Sequence, residues 1–151
     1  MSIVPIDRAR QHCRSDFADD TLLSVYLQAA ERRVAALANR AIFPTPEERT
    51  TAIAAIPAAM AAANAAYDSA VAAAELLADK RDRELAKDVA LAALNEATAS
   101  ATKTLNGIVK DDAIEAAILI CCGHFFRNRD EGDFPPAVEH LMFTYRYLGN
   151  L

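Results

Sequence analysis

The chain of 151 residues contains no tryptophan, four glycines and three cysteines. With so few glycines, it holds no phosphate-binding loop, no dinucleotide fingerprint and no nucleophile elbow. The three cysteines are scattered and odd in number, so they form no secreted-type disulfide framework and fit a reducing compartment. The scarcity of strand-favouring aromatic residues and the abundance of alanine favour helix over sheet.

Long apolar runs are also missing. Residues 1–14 lack the apolar core of a signal peptide, so we expect none. The longest stretch without a charged residue, Thr50–Tyr67, is mostly alanine and includes Pro57 and Asn64, whereas a membrane-spanning helix needs about 20 strongly apolar residues. We therefore predict no membrane segment.

The net charge of −5 is opposite in sign to that of a protein that binds nucleic acid by neutralising its phosphates. The basic clusters are Arg32-Arg33 and Arg127-Asn128-Arg129. Arginines near helix C-termini compensate the helix dipole, and we prefer that interpretation to phosphate contact. A helical nucleic-acid binder remains the less favoured alternative.

Residues able to carry chemistry are sparse. Cys121 and His124 can share one helix face, but two ligands do not close a zinc site. Cys13 follows His12 directly, and neighbouring helix positions point apart, so they form no nucleophile–base pair. The sequence thus predicts no enzyme, no metal and no cofactor, with the carboxylates serving as helix caps and solvent-facing charges.

Helical spacing of apolar residues predicts the N-terminal elements. A first helix covers residues 4–14, a turn follows at residues 15–18, and Asp19 or Asp20 caps a second helix that extends to about Arg40. In the second helix, four polar residues are predicted to face water: Gln28, Glu31, Arg32 and Arg33.

An alanine-rich insertion follows, with 22 alanines among the 50 residues from Ala52 to Ala101. Thr45, Pro46 and Glu48 form a helix-start signature, and Pro57 should kink or restart the helix. One continuous helix over residues 58–106 would be about 70 Å long. It would leave the chain far from Arg40, so we favour a hairpin that bends within residues 79–83 over a single long helix.

Asn106-Gly107 is predicted to cap the end of the insertion. The next helix, from about Asp111 to Arg129, should be the most buried element, because its middle is apolar almost all round. After a loop at residues 131–133, Pro135-Pro136 opens a short helix that ends near Met142. We expect no strand. The predicted fold is all-α, a small helical bundle core with an inserted long Ala-rich helical hairpin.

Three separated parts of the chain resemble the head–tail connector (adaptor) family of tailed bacteriophages. They are residues 6–14 leading into residues 19–31, residues 114–119 continuing to the ending Phe126-Arg127-Asn128-Arg129-Asp130, and residues 135–142 followed by Tyr145-Arg146. Their order and spacing match the family's helices over about half the chain. The resemblance divides the chain into core residues 1–44, insertion 45–107 and core residues 108–151. The long insertion departs from the shorter relatives, where this region is a modest loop.

The resemblance implies a structural virion protein at the head–tail junction, assembled in the cytoplasm of the bacterial host. It implies a homo-oligomeric ring, dodecameric in the family, docked under the portal protein. Such a ring extends the channel through which genomic DNA passes without sequence-specific binding. It also joins a downstream neck, stopper or tail-completion protein.

The family reaches the portal through its C-terminal segment, here Phe143–Leu151. The residues assigned to that contact are Tyr145, Arg146, Tyr147, Leu148 and Leu151. They combine anchor residue types in a tail that we predict to order on binding its partner. The alternative function is a helical coiled-coil interaction module unrelated to virions.

Overall fold

The computed structural model describes residues 2–16, 20–128 and 135–149. The described chain is all-α, as predicted. The helices are α1 Ile6–Cys13, α2 Asp20–Ala38, α3 Pro46–Glu75, α4 Lys80–Leu105, α5 Asp112–Arg127 and α6 Pro136–Met142, and α6 continues into a 3-10 turn at Phe143–Tyr145. Two short strands, β1 Ile42–Phe43 and β2 Ile108–Val109, complete the regular structure. The predicted loop at residues 131–133 and the predicted cap Asp19 lie outside the described residues.

The chain forms two compact units. The first contains Met1–Arg49 and Asn106–Leu151, and the second contains Thr50–Leu105. In the first unit, α2 and α5 pack against each other, and α1 and α6 both contact that pair. The largest side chains sealed inside this core come from both ends of the sequence: Val4, Leu23, Leu27, Val34, Ile114, Ile118, Val138 and Met142. The beginning and the end of the chain therefore share one hydrophobic core.

The prediction that α5 is the most buried element agrees with its position. It contributes Ile114, Ile118 and a continuous buried run from Cys121 to Gly123. Its start is capped as the sequence suggests, because the Asp111 carboxylate accepts a hydrogen bond from the Ile114 N–H at 2.9 Å.

The prediction that Glu31 faces water is wrong, because its side chain is 7% exposed. One carboxylate oxygen accepts hydrogen bonds from the Ser2 hydroxyl at 2.6 Å and from the backbone N–H groups of Ile3 and Val4 at 2.7 and 2.9 Å. The residues before α1 thus fold over α2, a non-local contact that helical periodicity does not reveal.

The expectation that the chain contains no strand is wrong, because β1 pairs with β2 in parallel. Ile42 lies opposite Ile108 and Phe43 opposite Val109. Two-residue strands are too short to show the alternation by which strands are recognised in a sequence. The pairing joins the two parts of the first unit at the points where the chain leaves for the second unit and returns.

The ends of the helices show which local signals operate. Thr45 caps α3, since its hydroxyl accepts from the Glu48 N–H at 3.2 Å, as predicted. Asp20, one of the two residues predicted to cap α2, is the first residue of that helix and binds the Arg10 guanidinium through both carboxylate oxygens, at 3.0 and 2.7 Å. Helix α4 ends before Gly107, as predicted. Gly107 does not have the left-handed backbone of a glycine C-cap, because the described residues with positive φ are Arg14, Asn39 and Gly149.

The second unit is a hairpin of α3 and α4, which confirms the predicted hairpin and rules out a single long helix. Lys87 pairs with Glu75 at 2.7 Å, and Ala74 and Ala90 are buried. The bend lies at residues 76–79, earlier than the predicted 79–83. Pro57 lies inside a continuous α3, so a restart there is wrong. The lost backbone hydrogen bond is offset by strong helix formers on both sides.

The hairpin bend depends on Asp79 and Arg83. One Asp79 carboxylate oxygen accepts from the N–H groups of Arg81 at 2.7 Å and Asp82 at 3.2 Å, which caps α4. The Arg83 guanidinium donates to the carbonyl of Leu77 at 2.6 Å. An N-cap aspartate and an arginine that binds orphan carbonyls therefore make the turn without glycine or proline.

Candidate partner-binding surface

The C-terminal segment is held on its own chain at Tyr145. The Tyr145 hydroxyl donates a short hydrogen bond to the second carboxylate oxygen of Asp111, the residue that caps α5. This hydrogen bond raises the pKa of the Tyr145 phenol. Burial acts to raise the pKa of Asp111, but the hydrogen bonds from Tyr145 and from the Ile114 backbone outweigh it and hold that pKa below its usual value.

A second attachment lies two residues later, at Tyr147. Its backbone N–H donates to the Ala38 carbonyl at 2.8 Å, and its carbonyl accepts from the Asn39 side-chain amide at 3.2 Å. The Arg40 guanidinium stands 5.4 Å from the centre of the Tyr147 ring, a cation–π distance. Asn39 has φ of 51°, a left-handed conformation that asparagine tolerates and that ends α2 beside the tail.

Three side chains before, between and after these two attachments are exposed to solvent. Phe143 is 72% exposed and Leu148 is 73% exposed, and Arg146 is exposed as well. An open groove of about 330 Å³ is lined by Leu37, Glu139, His140, Met142, Phe143 and Arg146. We call Phe143, Arg146, Leu148 and this groove the tail face. Large exposed apolar side chains beside a groove are typical of a protein-binding surface.

The structure therefore separates the residues predicted to bind a partner. Tyr145 and Tyr147 bind their own chain, whereas Arg146 and Leu148 are free to meet another molecule. Leu151 lies outside the described residues. The prediction that the tail orders only on binding is wrong for Tyr145–Tyr147, because Asp111, Ala38 and Asn39 already hold it.

Sequence reasoning missed the groove and gave no role to Phe143 by itself. The groove unites α2, α6 and the residues after α6, which only the fold brings together. A local signal did exist, since Phe143 follows buried Met142 directly and so points away from the core when the helical turn continues.

The thiols lie in the core. Burial raises the pKa of Cys121 to about 11 and of Cys122 to about 12, and it also raises the pKa of Cys13. His12 is exposed, whereas Cys13 is buried. Within the described ranges, no three histidine, cysteine or carboxylate side chains come together as a metal site.

The basic clusters are distributed over different helices. Arg32 and Arg33 are exposed on α2. Although His12 is exposed as a whole, the partial desolvation of its imidazole lowers its pKa most, and the charge of Arg127 at the end of α5 lowers that pKa further. Arg129 lies outside the described residues. None of the helices that the structure describes is both long and apolar enough to cross a membrane.

The chain was compared with protein-family models, with curated proteins and with solved structures, and none of the three comparisons gives a match.

Proposed function

We propose that this chain is the subunit of a phage head–tail connector, a structural ring protein that binds the portal through the tail face. The observation that carries the proposal is the tail face itself. Its two aromatic attachments fix the backbone, and its exposed phenylalanine, arginine and leucine are presented to a partner. Aromatic residues and arginine dominate the binding energy of protein interfaces.

The common core supports the same proposal. The three stretches that resemble connector proteins fall in α1–α2, α5 and α6, and these four helices pack together although the hairpin separates them in sequence. An insertion between packed elements leaves such a core intact, because lengthening a connection costs little entropy once the ends are fixed.

A preformed tail suits a ring that docks on another ring. Each subunit presents the same short segment, and the loss of conformational entropy on binding is smaller when Tyr145 and Tyr147 already hold it. We therefore propose that the tail is already ordered before it meets the portal and does not fold upon binding. Its contacting side chains are Phe143, Arg146 and Leu148.

The hairpin is proposed to contact the hairpins of neighbouring subunits in the ring. Leu76 at its bend is 87% exposed, and more large apolar side chains are exposed along it. They are Leu77, Leu85, Val89, Leu91 and Leu105. A ring needs two different faces on each subunit that meet head to tail.

The remaining partners follow from the same proposal. Genomic DNA passes through the ring without sequence-specific binding, since a net charge of −5 gives little attraction for phosphate. A neck, stopper or tail-completion protein binds the opposite rim. The chain acts in the virion at the head–tail junction, after assembly in the host cytoplasm, and performs no catalysis.

The test uses paired surface variants and the portal protein encoded in the same genome. Phe143→Ser with Leu148→Ser should abolish co-purification with the portal while the helical circular dichroism and the unfolding midpoint stay unchanged. Val25→Ser is the matched control, because Val25 is 57% exposed on α2 and lies about 18 Å along that helix from Leu37 of the groove. Portal binding that survives in the double variant would refute the tail-face assignment.

The exposed leucines of the hairpin also favour a second function, that of a helical interaction module unrelated to virions. Light scattering distinguishes the two. A connector assembles into a closed ring with the portal, whereas an interaction module pairs through its hairpin in small, open stoichiometries and ignores the portal. Retention on DNA that weakens steeply with salt would instead indicate the nucleic-acid binder.

A further inference from the structure

The α3–α4 hairpin has almost no core of its own. Residues 50–105 all belong to the part of the chain that the structure describes, and of these Ala74 and Ala90 are buried. Large apolar side chains at the junction of the two helices are only partly buried, among them Ile56, Met60, Tyr67 and Leu94. Because helices in proteins are stabilised mainly by packing an apolar face against another surface, the hairpin gains stability from a further packing partner.

Two apolar grooves between α3 and α4 open on the same side of the hairpin. The first, of about 450 Å³, is lined by Ala66 and Ala93 among others, and the second, of about 400 Å³, by Ala59 and Ser100 among others. Ala59 and Ala66 are seven positions apart, as are Ala93 and Ser100, and residues seven apart lie on nearly the same side of a helix. All the residues that line the two grooves are uncharged. We call this side of the hairpin the groove side.

Exposed leucines project from a different side of α4. Leu91 is 45% exposed and Leu105 is 56% exposed. They are 14 positions apart, which places them on nearly the same side of the helix. Leu91 lies two positions before Ala93, a rotation of about 200°, so it points away from the groove side. We call Leu91 and Leu105 the leucine ridge.

We propose that neighbouring subunits of the ring pack hairpin against hairpin, parallel and in register, with the leucine ridge of one copy seated in the groove side of the next. This inference rests on the proposed connector function, which supplies the ring, and it names the two faces that meet. The occupant of the groove side is a second copy of this chain.

The size of the hairpin is sufficient for a stable contact. Helix α4 has 26 residues and is about 39 Å long. Two helices side by side are roughly 20 Å wide, which gives the groove side an area of roughly 800 Å². A standard protein–protein interface buries about 800 Å² on each partner, so this side of the hairpin matches what such an interface needs.

A parallel, in-register arrangement brings the leucines to the grooves. Leu91 lies at the level of the first groove, whose lining on α4 runs from Ala86 to Leu94. Leu105 directly follows Thr104, the last residue that lines the second groove. Neighbours in a ring are related by rotation, so equal levels of two hairpins meet when the hairpins run along the ring axis.

The chemistry of the two faces favours a second copy in a head-to-tail contact. An uncharged groove does not select an acidic or a basic partner, whereas exposed leucines gain free energy by leaving water. Because the ridge and the groove side lie on different sides of the same hairpin, each copy offers one face to each neighbour, and the contact repeats until the ring closes. Two groove sides placed face to face would form pairs and leave the leucines in water.

Cysteine cross-linking tests this contact on the full chain, both alone at high concentration and mixed with the portal protein of the same genome. The variant Leu91→Cys with Ala66→Cys is treated with a short bis-maleimide, while the native cysteines are protected by burial. We expect dimers and longer products in which position 91 of one chain is joined to position 66 of another. Leu85→Cys with Ala66→Cys is the matched control and should give no such product, because Leu85 is 62% exposed on α4 and belongs to neither face.

The single variants reveal the direction of the contact. Leu91→Cys alone and Ala66→Cys alone should give no cross-linked product. An equal mixture of the two should give dimers and nothing longer, because each chain then carries one half of the contact. Every link in that mixture between positions 91 and 66 joins two different chains.

The outcomes separate this contact from the connector function. Dimers formed by Ala66→Cys alone would overturn the proposal, because they would place two groove sides face to face. The absence of any link between positions 91 and 66 of different chains, with and without the portal, would overturn it as well. A link between these positions in a chain that does not bind the portal would support the hairpin contact and contradict the connector function.

Discussion

The Glu31 carboxylate accepts a hydrogen bond at 2.9 Å from the backbone N–H of Val4, a residue 27 positions earlier in the chain. The same oxygen also accepts hydrogen bonds from the Ser2 hydroxyl and the Ile3 N–H, so one side chain binds three donors. Val4 lies in the core with no exposed surface. A buried carboxylate surrounded by donors is stable, since each donor would otherwise lose its bond to water. Glu31 therefore fixes the start of the chain on α2.

Replacing this acceptor should destabilise the fold. Glu31→Ala leaves the N–H groups of Ile3 and Val4 without their acceptor, while the Ser2 hydroxyl keeps the Val4 carbonyl, and we expect a loss of about 1–3 kcal/mol in the free energy of unfolding. Glu31→Gln keeps one acceptor oxygen and should lose less. Gln28→Ala, at an exposed position one turn earlier, is the control. Urea unfolding followed by circular dichroism measures all three, and an unchanged midpoint for Glu31→Ala would contradict this role.

The hairpin bend should depend on one side chain. Asp79→Ala removes the acceptor for the N–H groups of Arg81 and Asp82, and we expect a loss of about 1 kcal/mol, typical of an N-cap. Asp68→Ala, at an exposed position within α3, should change stability much less. Thermal unfolding compares the two variants, and equal effects would show that the cap is not what sets the bend.

The contact between Asp111 and Tyr145 should make stability depend on pH at both extremes. The folded pKa of Asp111 is lowered, so its contribution is complete above its unfolded pKa of about 4 and is lost as the pH falls through the folded value. The folded pKa of Tyr145 is raised, so its contribution is complete below about pH 10 and is lost as the pH rises through the folded value.

Tyr145→Phe measures this contact. It should reduce the free energy of unfolding by about 1 kcal/mol at neutral pH, and the difference from wild type should shrink at about pH 2. Tyr147→Phe is the matched control, because Tyr147 is held by its backbone and its ring. If the Tyr145→Phe difference is the same at both pH values, the Asp111 carboxylate is not its source.

The cysteines should be unreactive in the folded chain. With burial raising the pKa of Cys121 to about 11 and of Cys122 to about 12, few thiolates exist at neutral pH. Labelling by a thiol reagent should be slower than in the urea-unfolded chain by on the order of 100-fold. Equal rates in the two states would contradict the burial of these thiols.

Local signals predicted most of the fold. The apolar spacing of residues 114–126, the Thr45 cap and the Pro136 start each act within a few residues, so the sequence displays them directly. The predictions that are wrong concern contacts between residues far apart in the sequence. Glu31 is polar and was placed in solvent, and only the folding of Ser2–Val4 over it makes a buried carboxylate stable.

In the candidate partner-binding surface, too, local sequence signals predict some features, while others depend on contacts between residues far apart in sequence. Residue types in the tail predicted a binding segment, but its attachment to Asp111, Ala38 and Asn39 depends on elements more than 30 positions away in sequence. That attachment decides which side chains remain free. Tyr145 and Tyr147 are among the residues predicted to contact a partner, but they hold the tail on its own chain, whereas Phe143, Arg146 and Leu148 are exposed.

The hairpin's role in assembly is tested by removing it. The chain leaves the first unit after Arg49, whose guanidinium donates to the Gly107 carbonyl at 2.7 Å, so a short linker can replace residues 50–105. The shortened chain should unfold cooperatively and keep its helical core, because its core residues all lie in the first unit. It should form rings with the portal less well than the full chain, and equal ring formation would show that the hairpin is no oligomer contact.

The most direct test of the connector proposal is native mass spectrometry, with negative-stain imaging, of the full chain mixed with the portal protein from the same genome. The proposal predicts a closed ring of this chain seated on the portal ring, with the copy number fixed by the portal and dodecameric in the family it resembles. A chain that stays unbound and unassembled in the presence of that portal would contradict it.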